Sequence, residues 1–235
     1  MPSAIAGSMY WLNEKGFFNI TEVEIVLDGS RVENQQNFYA PLIGKMEKQM
    51  ELFRGQSLWS LKLSEVVAIL NSQNWIAVHS ISRSWPSTLL VRIQPCDVKL
   101  LYLGKNGKYI PIIEDGSFLD SVDSRQAPDV TLLDGDIFMQ KKELRTKAVN
   151  VIKEIPAEGS FSKKTISEMR YDPKEGFSVM MMKTGIQVKI GEDQVALKSA
   201  RVAQVVDYLK TRDIDARVID ANLSKKVLVR LRKDP

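Results

Sequence analysis

The sequence predicts an α+β protein of two domains: a β-α-α-β-β domain, then a mainly antiparallel β domain with two helices and a C-terminal edge strand. Three observations predict it. Apolar residues recur with strand and helix periods in that order along the chain. The turn dipeptides Asp28-Gly29, Asn106-Gly107 and Asp115-Gly116 punctuate the pattern. A join near Pro95–Val98 separates a region with two helical stretches from one richer in strands. The 235 residues, 44% hydrophobic and 26% charged, suffice for a core in each domain and exclude a disordered chain.

In the first domain, Ile20, Val23, Ile25 and Leu27 alternate with Glu22, Glu24 and Asp28, the mark of a half-buried strand. Leu42, Ile43, Met46, Met50 and Phe53 share one helical face, with Pro41 expected in the first turn, where its missing N–H costs nothing. Arg54-Gly55 ends that helix. Ser64 is expected to cap a second helix carrying Val66, Val67, Ile69 and Leu70. Strands follow at Ile76–Ile81, leading into Arg83-Ser-Trp85-Pro86, and at Leu89–Ile93. Two helices can cover one face of such a three-stranded sheet.

In the second domain, Asn106-Gly107 joins the strands Leu101–Leu103 and Tyr109–Ile113 as a hairpin. Asp136 is expected to cap a helix that turns Leu144, Ala148, Ile152 and Ile155 inward. Strands are predicted at Ile166–Tyr171, Phe177–Lys183 and Gly185–Ile190. A helix at Lys198–Lys210 uses Val202, Val206 and Leu209. Ile214–Ile219 and Val227–Leu231 are the last strands, the final one a terminal edge.

The composition excludes several chemistries. One Cys cannot close an intrachain disulfide, and one His with one Cys cannot make a Cys/His zinc site. Nucleophilic catalysis would have to pass through His79 alone, read here as an ordinary strand histidine. Cys96 is an inert thiol on the same reasoning. Glu192-Asp193 and Asp213 with Asp215 read as turn and cap residues, because no metal-loop spacing surrounds them. Met180-Met181-Met182 reads as a core strand with one exposed face. No enzyme, cofactor or metal is expected. No apolar stretch reaches the length of a membrane span, and Met1–Met9 reads as a cloning remnant rather than a signal peptide.

The net charge is +4 and the pI about 9.0. Lys225, Lys226, Arg230, Arg232 and Lys233 face only Asp234, so the tail carries the excess. A basic tail can meet nucleic acid, an anionic membrane or an acidic partner. No aromatic side chain is interleaved with these charges, so base stacking is unsupported and nucleic acid is not expected. An edge strand there exposes backbone N–H and C=O groups to an extended partner, unless its lysines and arginines merely protect it.

The run Arg83-x-Trp85-Pro86-x-x-Leu89-x-Val91 after a β-α-α element resembles the POTRA domain of the FtsQ/DivIB family of bacterial cell-division proteins. Gly55-Gln-Ser57-Leu58 sits where that family has a Gly-x-Ser/Asn-Leu. The resemblance continues through Glu114-Asp115-Gly116-x-Phe118 and Pro128-x-Val130-x-Leu132-Leu133-x-Gly135. It extends through the paired strands Phe177-x-Val179-x-Met181 and Gly185-Ile186-x-Val188-x-Ile190-Gly191, and then Ile219-Asp220. It covers about Phe17 to Leu231. It implies a membrane-proximal linker to residue 16, a POTRA domain at 17–97 and an FtsQ-type β domain at 98–235. It also implies a non-enzymatic scaffold in the inner membrane, anchored by a segment absent here, with this region periplasmic. The partners implied are FtsB and FtsL, with FtsK, FtsW and FtsI as further ones.

The contact would lie on the last strand, at Leu223, Lys225, Lys226, Val227, Leu228, Val229, Arg230 and Leu231. A POTRA contact is expected at Arg83 and Trp85. Two departures stand out. Gln94 followed at once by Pro95 replaces an acidic residue with a later proline. Leu223, Lys225 and Leu231 replace the Tyr, Ser and Trp that carry partner binding in the best-known members, so the side-chain chemistry of the contact must differ. The alternative weighed is a POTRA-type transport or chaperone module holding extended substrate peptides.

Overall fold

The computed structural model describes residues 11, 15–28, 35–223 and 226–232. The leading segment Met1–Met9, Gly29 of the first turn dipeptide, Lys225 and Lys233 lie outside them. The chain divides into two units, Met1–Cys96 and Asp97–Pro235. Both are α+β.

The first unit holds β1 (Glu22–Leu27), α1 (Gln36–Met50), α2 (Leu63–Asn71), β2 (Ile76–Ser84) and β3 (Thr88–Pro95). The sheet order is β1-β3-β2, β1 parallel and β2 antiparallel to the central strand. Leu89, Val91 and Ile93 of β3 are fully buried beneath the helices, while Arg92 and Gln94 on the other face are exposed. Pro41 is not in the first turn of α1 but its sixth residue. Buried Phe38 and Tyr39 carry the apolar face one turn further upstream, and the proline ring stands where an N–H would reach the Asn37 carbonyl. Ser64 does not cap α2; the cap position is Lys62 and Ser64 lies inside the helix. A bulge between Ile76 and Val78 turns Val78 outward and half-buries His79 opposite Ile93.

The second unit holds β4 (Val98–Leu103), β5 (Tyr109–Ile113), β6 (Leu132–Asp134), α3 (Ile137–Gln140), α4 (Lys142–Glu154), β7 (Ile166–Asp172), β8 (Gly176–Met181), β9 (Gln187–Lys189), α5 (Val195–Thr211), β10 (Ala216–Asp220) and β11 (Leu228–Leu231). The strands form one sheet in the order β11-β10-β9-β8-β7-β6-β4-β5. The domain is mainly antiparallel, as expected, through the β4–β5, β7–β8, β8–β9 and β10–β11 pairings. The β4–β6, β6–β7 and β9–β10 pairings are parallel, so the sheet is mixed. The unforeseen strand is β6, whose three residues are too few to show a period. Among the described residues three α-helices are present rather than two. Asp136 makes no side-chain cap: α3 breaks at Lys141 before α4 begins, and the Asp136 carboxylate instead accepts from the Tyr102 hydroxyl at 3.4 Å.

Phe177, Val179 and Met181 of β8 turn into one core with Ile152 of α4 and Val202 and Val206 of α5. The opposite face of β8 is half-exposed. Met181 is buried and Met182 exposed, as alternation requires. The turn after β5 is held by Asp115, whose carboxylate accepts from Lys142 Nζ of α4 at 2.8 Å and from the Ser117 N–H and hydroxyl at 2.8 and 2.7 Å. The Lys142 hydrogen bond is the main cause that lowers its pKa to about 2, with Ser117 assisting against burial. A depressed carboxylate pKa stabilises the fold above the ordinary Asp value, and that contribution is lost as pH falls toward 2. Asp115→Asn is therefore expected to flatten the fall of Tm between about pH 4 and pH 2. An unaltered acid limb in a thermal-melt pH series would refute this.

Candidate functional site

The last strand is held at both ends and open along one side. Before it, the Asn222 N–H donates to Asp220 Oδ1 at 3.0 Å and the Asn222 side chain donates to the Glu175 carbonyl at 2.8 Å. The Ala221 N–H donates to the Lys189 carbonyl at 2.9 Å. Beneath this turn lies Gly191, and beside it the buried Lys198, whose ammonium donates to the Ile190 carbonyl at 3.0 Å and to Asp193 at 2.6 Å. That short contact to Lys198 is the first cause holding Asp193 below the ordinary carboxylate range. After the strand, the Arg232 N–H donates to the Asp215 carbonyl at 3.0 Å, and its guanidinium lies 3.5 Å from the Asp215 carboxylate.

Between these clamps β11 pairs, among the described residues, with β10 alone, Leu228 opposite Asp220, Val229 opposite Ile219 and Arg230 opposite Val218. Val227 and Val229 pack against the core, while Leu228 and Arg230 are exposed on the other face. Leu231 and Val229 join Val205, Tyr208, Leu209 and Ile214 around an apolar groove of about 430 Å³. Leu223, Leu228, Leu231 and Tyr208 are all about half-exposed, giving the region an apolar surface. Lys226 is exposed. Arg232 is engaged with Asp215, which leaves Lys226 and Arg230 as the cations without an ion pair among the described residues of this strand.

The other edge of the sheet is closed. Tyr109 and Val122 exchange two backbone hydrogen bonds at 2.9 and 2.7 Å, and the Leu119 N–H donates to the Pro111 carbonyl at 2.9 Å. Residues 117–122 thus cover β5. Among the described residues nothing covers β11.

Arg83 and Trp85 belong to the first unit. The Arg83 guanidinium donates to the Leu58 and Leu61 carbonyls at 2.7 and 2.9 Å, fastening the loop between the helices. Trp85 lies 4.6 Å from Trp59 and 5.6 Å from Phe18, ring to ring, and is about half-exposed. The Cys96 thiol lies 3.7 Å from the Asn74 carbonyl. Glu192 and Asp193 are not paired with each other: Glu192 meets Lys147 at 2.8 Å and Asp193 meets Lys198. Among the described residues no group of His, Cys, Asp and Glu is placed to hold a metal, and no helix is long and apolar enough to cross a membrane. Sequence reasoning missed Asn222, Gly191 and Lys198. A Gly-Glu-Asp turn followed by a lysine was visible, but not that it lies under the residue leading into β11.

Fold and surface together define an α+β protein whose larger sheet ends on a strand, clamped at both ends, that nothing covers among the described residues. Residues 101–222 match the family model for cell division protein FtsQ/DivIB, C-terminal. The chain belongs to the FtsQ/DivIB family of cell-division proteins. It is 22% identical to the cell division protein FtsQ of Syntrophotalea carbinolica, over 97% of this chain and 79% of that protein. It is 25% identical to the FtsQ of Geotalea daltonii over 75% of this chain and 66% of that one. With the cell division protein DivIB of Solibacillus silvestris it shares 20% identity over 73% of this chain and 58% of that protein.

Proposed function

We propose that this chain is the extracytoplasmic part of a membrane-anchored, non-enzymatic divisome scaffold that recruits an FtsB/FtsL-type partner by strand addition at β11. Residues 17–97 are its POTRA domain and 98–235 its FtsQ-type β domain. The observation that carries the reading is the asymmetry of the eight-stranded sheet: one edge is covered by residues 117–122, and among the described residues nothing covers the other. Arg232 points its N–H inward to Asp215. The two-residue alternation of an antiparallel ladder then directs the N–H groups of Val229 and Leu231 outward, where an extended partner accepts or donates. Backbone bonds supply affinity in this mode. Leu228 and the groove around Tyr208 supply specificity, and Lys226 and Arg230 steer an acidic segment.

The test is calorimetric titration with the extracytoplasmic FtsB segment of the same organism against a scrambled control. Val229→Pro is expected to weaken binding at least a hundredfold, by removing an outward donor and disturbing the strand. Arg230→Glu is expected to slow association and flatten its salt dependence. Unchanged affinity in a folded Val229→Pro protein would sink the proposal.

A transport or chaperone reading draws support from the nine-residue β2 at the edge of the smaller sheet, with exposed Val78. It would bind many extended peptides weakly, where a divisome scaffold prefers one. The β2 bulge argues against it, because bulges twist an edge away from pairing.

A further inference from the structure

A second cavity of the β domain lies beside the β11 groove and shares Leu209 and Ile214 with it, but nothing inferred from it rests on strand addition at β11. It is a cleft of about 780 Å³ between the 159–165 loop, the β8–β9 turn and the end of α5. That volume lies within the range of small-molecule sites. Its floor is apolar: Met181, Ile186, Val206 and Leu209 are buried there and Ile214 is half-buried. Methionine adapts its shape to a flexible ligand.

The rim is charged and unevenly paired. Lys164 is matched by Glu158 at 3.2 Å, and Asp215 by Arg232 at 3.5 Å. Lys183 and Lys210 have no ion pair among the described residues, and Asp207 is the one remaining acid of the lining. The end of α5 would ordinarily repel an anion through its bare carbonyls. Here those carbonyls are occupied: Asp207 accepts from the Thr211 hydroxyl at 2.8 Å, Tyr208 from the Arg212 N–H, Lys210 from the Asp213 N–H and Leu209 from the Ile214 N–H at 3.0 Å. An apolar floor under two unmatched ammonium groups suits neither a bare inorganic anion nor a neutral hydrocarbon.

We propose that this cleft binds a single-chain amphipathic anion, with the acyl chain on Met181, Ile186 and Ile214 and the headgroup at Lys183 and Lys210. The probes are decyl and dodecyl phosphate, each below its micelle concentration, titrated calorimetrically into the whole chain. Dodecyl phosphate is expected to bind one per chain. Decyl phosphate should bind about fifteenfold more weakly, since each CH₂ is worth roughly a fourfold factor when buried. Inorganic phosphate at equal concentration should not displace either. Lys183→Glu with Lys210→Glu, both exposed and tolerant of change, should weaken dodecyl phosphate at least tenfold. Ile214→Trp should fill the floor and abolish binding with the fold retained. Equal affinity for the two chain lengths, displacement by inorganic phosphate, or undiminished binding by the double lysine variant would each overturn the proposal.

Discussion

Arg145→Met is expected to destabilise the β domain by about 3 kcal/mol, lowering Tm by roughly 10 °C. The guanidinium is buried in α4 and forms no ion pair among the described residues. Its Nε donates to the Gly116 carbonyl at 2.7 Å, and its Nη1 donates to the Phe138 and Met139 carbonyls at 2.6 and 3.3 Å. The Phe118 ring lies 3.9 Å from its central carbon. Burial pushes its pKa down, with Asp115 opposing. A methionine of similar length fills the space but leaves two buried carbonyls without a donor, at about 1–3 kcal/mol each. Lysine keeps the charge and loses the planar fork that reaches both sides, so Arg145→Lys should fall between. Thermal melts of the three proteins decide it, and a Met variant within 2 °C of the parent would remove Arg145 from its role as the tie between α3, α4 and the Asp115 turn.

Gly191→Ala carries the second large effect, expected at about 3 kcal/mol together with loss of partner binding at β11. Gly191 has φ of +71°, where a side chain costs about 1–2 kcal/mol. A Cβ there would land on Asn222 Oδ1 and 3.2 Å from Lys198 Nζ. Asn222 would have to release the Glu175 carbonyl, at about 1 kcal/mol more, and with it the upstream clamp on β11. Gly176 lies close by as well, since a Cβ added to it would come within 2.9 Å of Gly191 Cα. Hydrogen exchange should show the amides of residues 228–231 opening faster in the variant, with those of β7 and β8 less affected. Equal exchange across all three strands would mean that Asn222 does not govern β11.

Local order was legible because its causes are local. Alternation at Val23–Leu27 and at Leu89–Ile93 reports a strand with one buried face wherever its partner lies. Asn106-Gly107 closes a hairpin through its own dihedral angles, with φ of +75° at Gly107. The two misplaced caps show the limit. Ser64 and Asp136 are good capping residues, yet α2 begins one residue before Ser64, and Asp136, though at the cap position of α3, makes no side-chain cap bond. The family motifs were legible too, as a pattern of spacings.

The sequence by itself determined the run of helices and strands, the tight turns, the two separate cores and membership in a family. Tertiary structure decided the rest. It inserted β6 between β4 and β7 and set β9 beside β10, and these parallel pairings made the sheet mixed. It covered β5, left β11 uncovered among the described residues, and placed Arg145 and Lys198 where their charges meet main-chain oxygens. The physical reason is common to all three. Strand neighbours, edge coverage and a buried cation's acceptors depend on groups far apart in the chain, such as Lys198 with Ile190 and Asn222 with Glu175. A periodic pattern reports only which face of a segment avoids water.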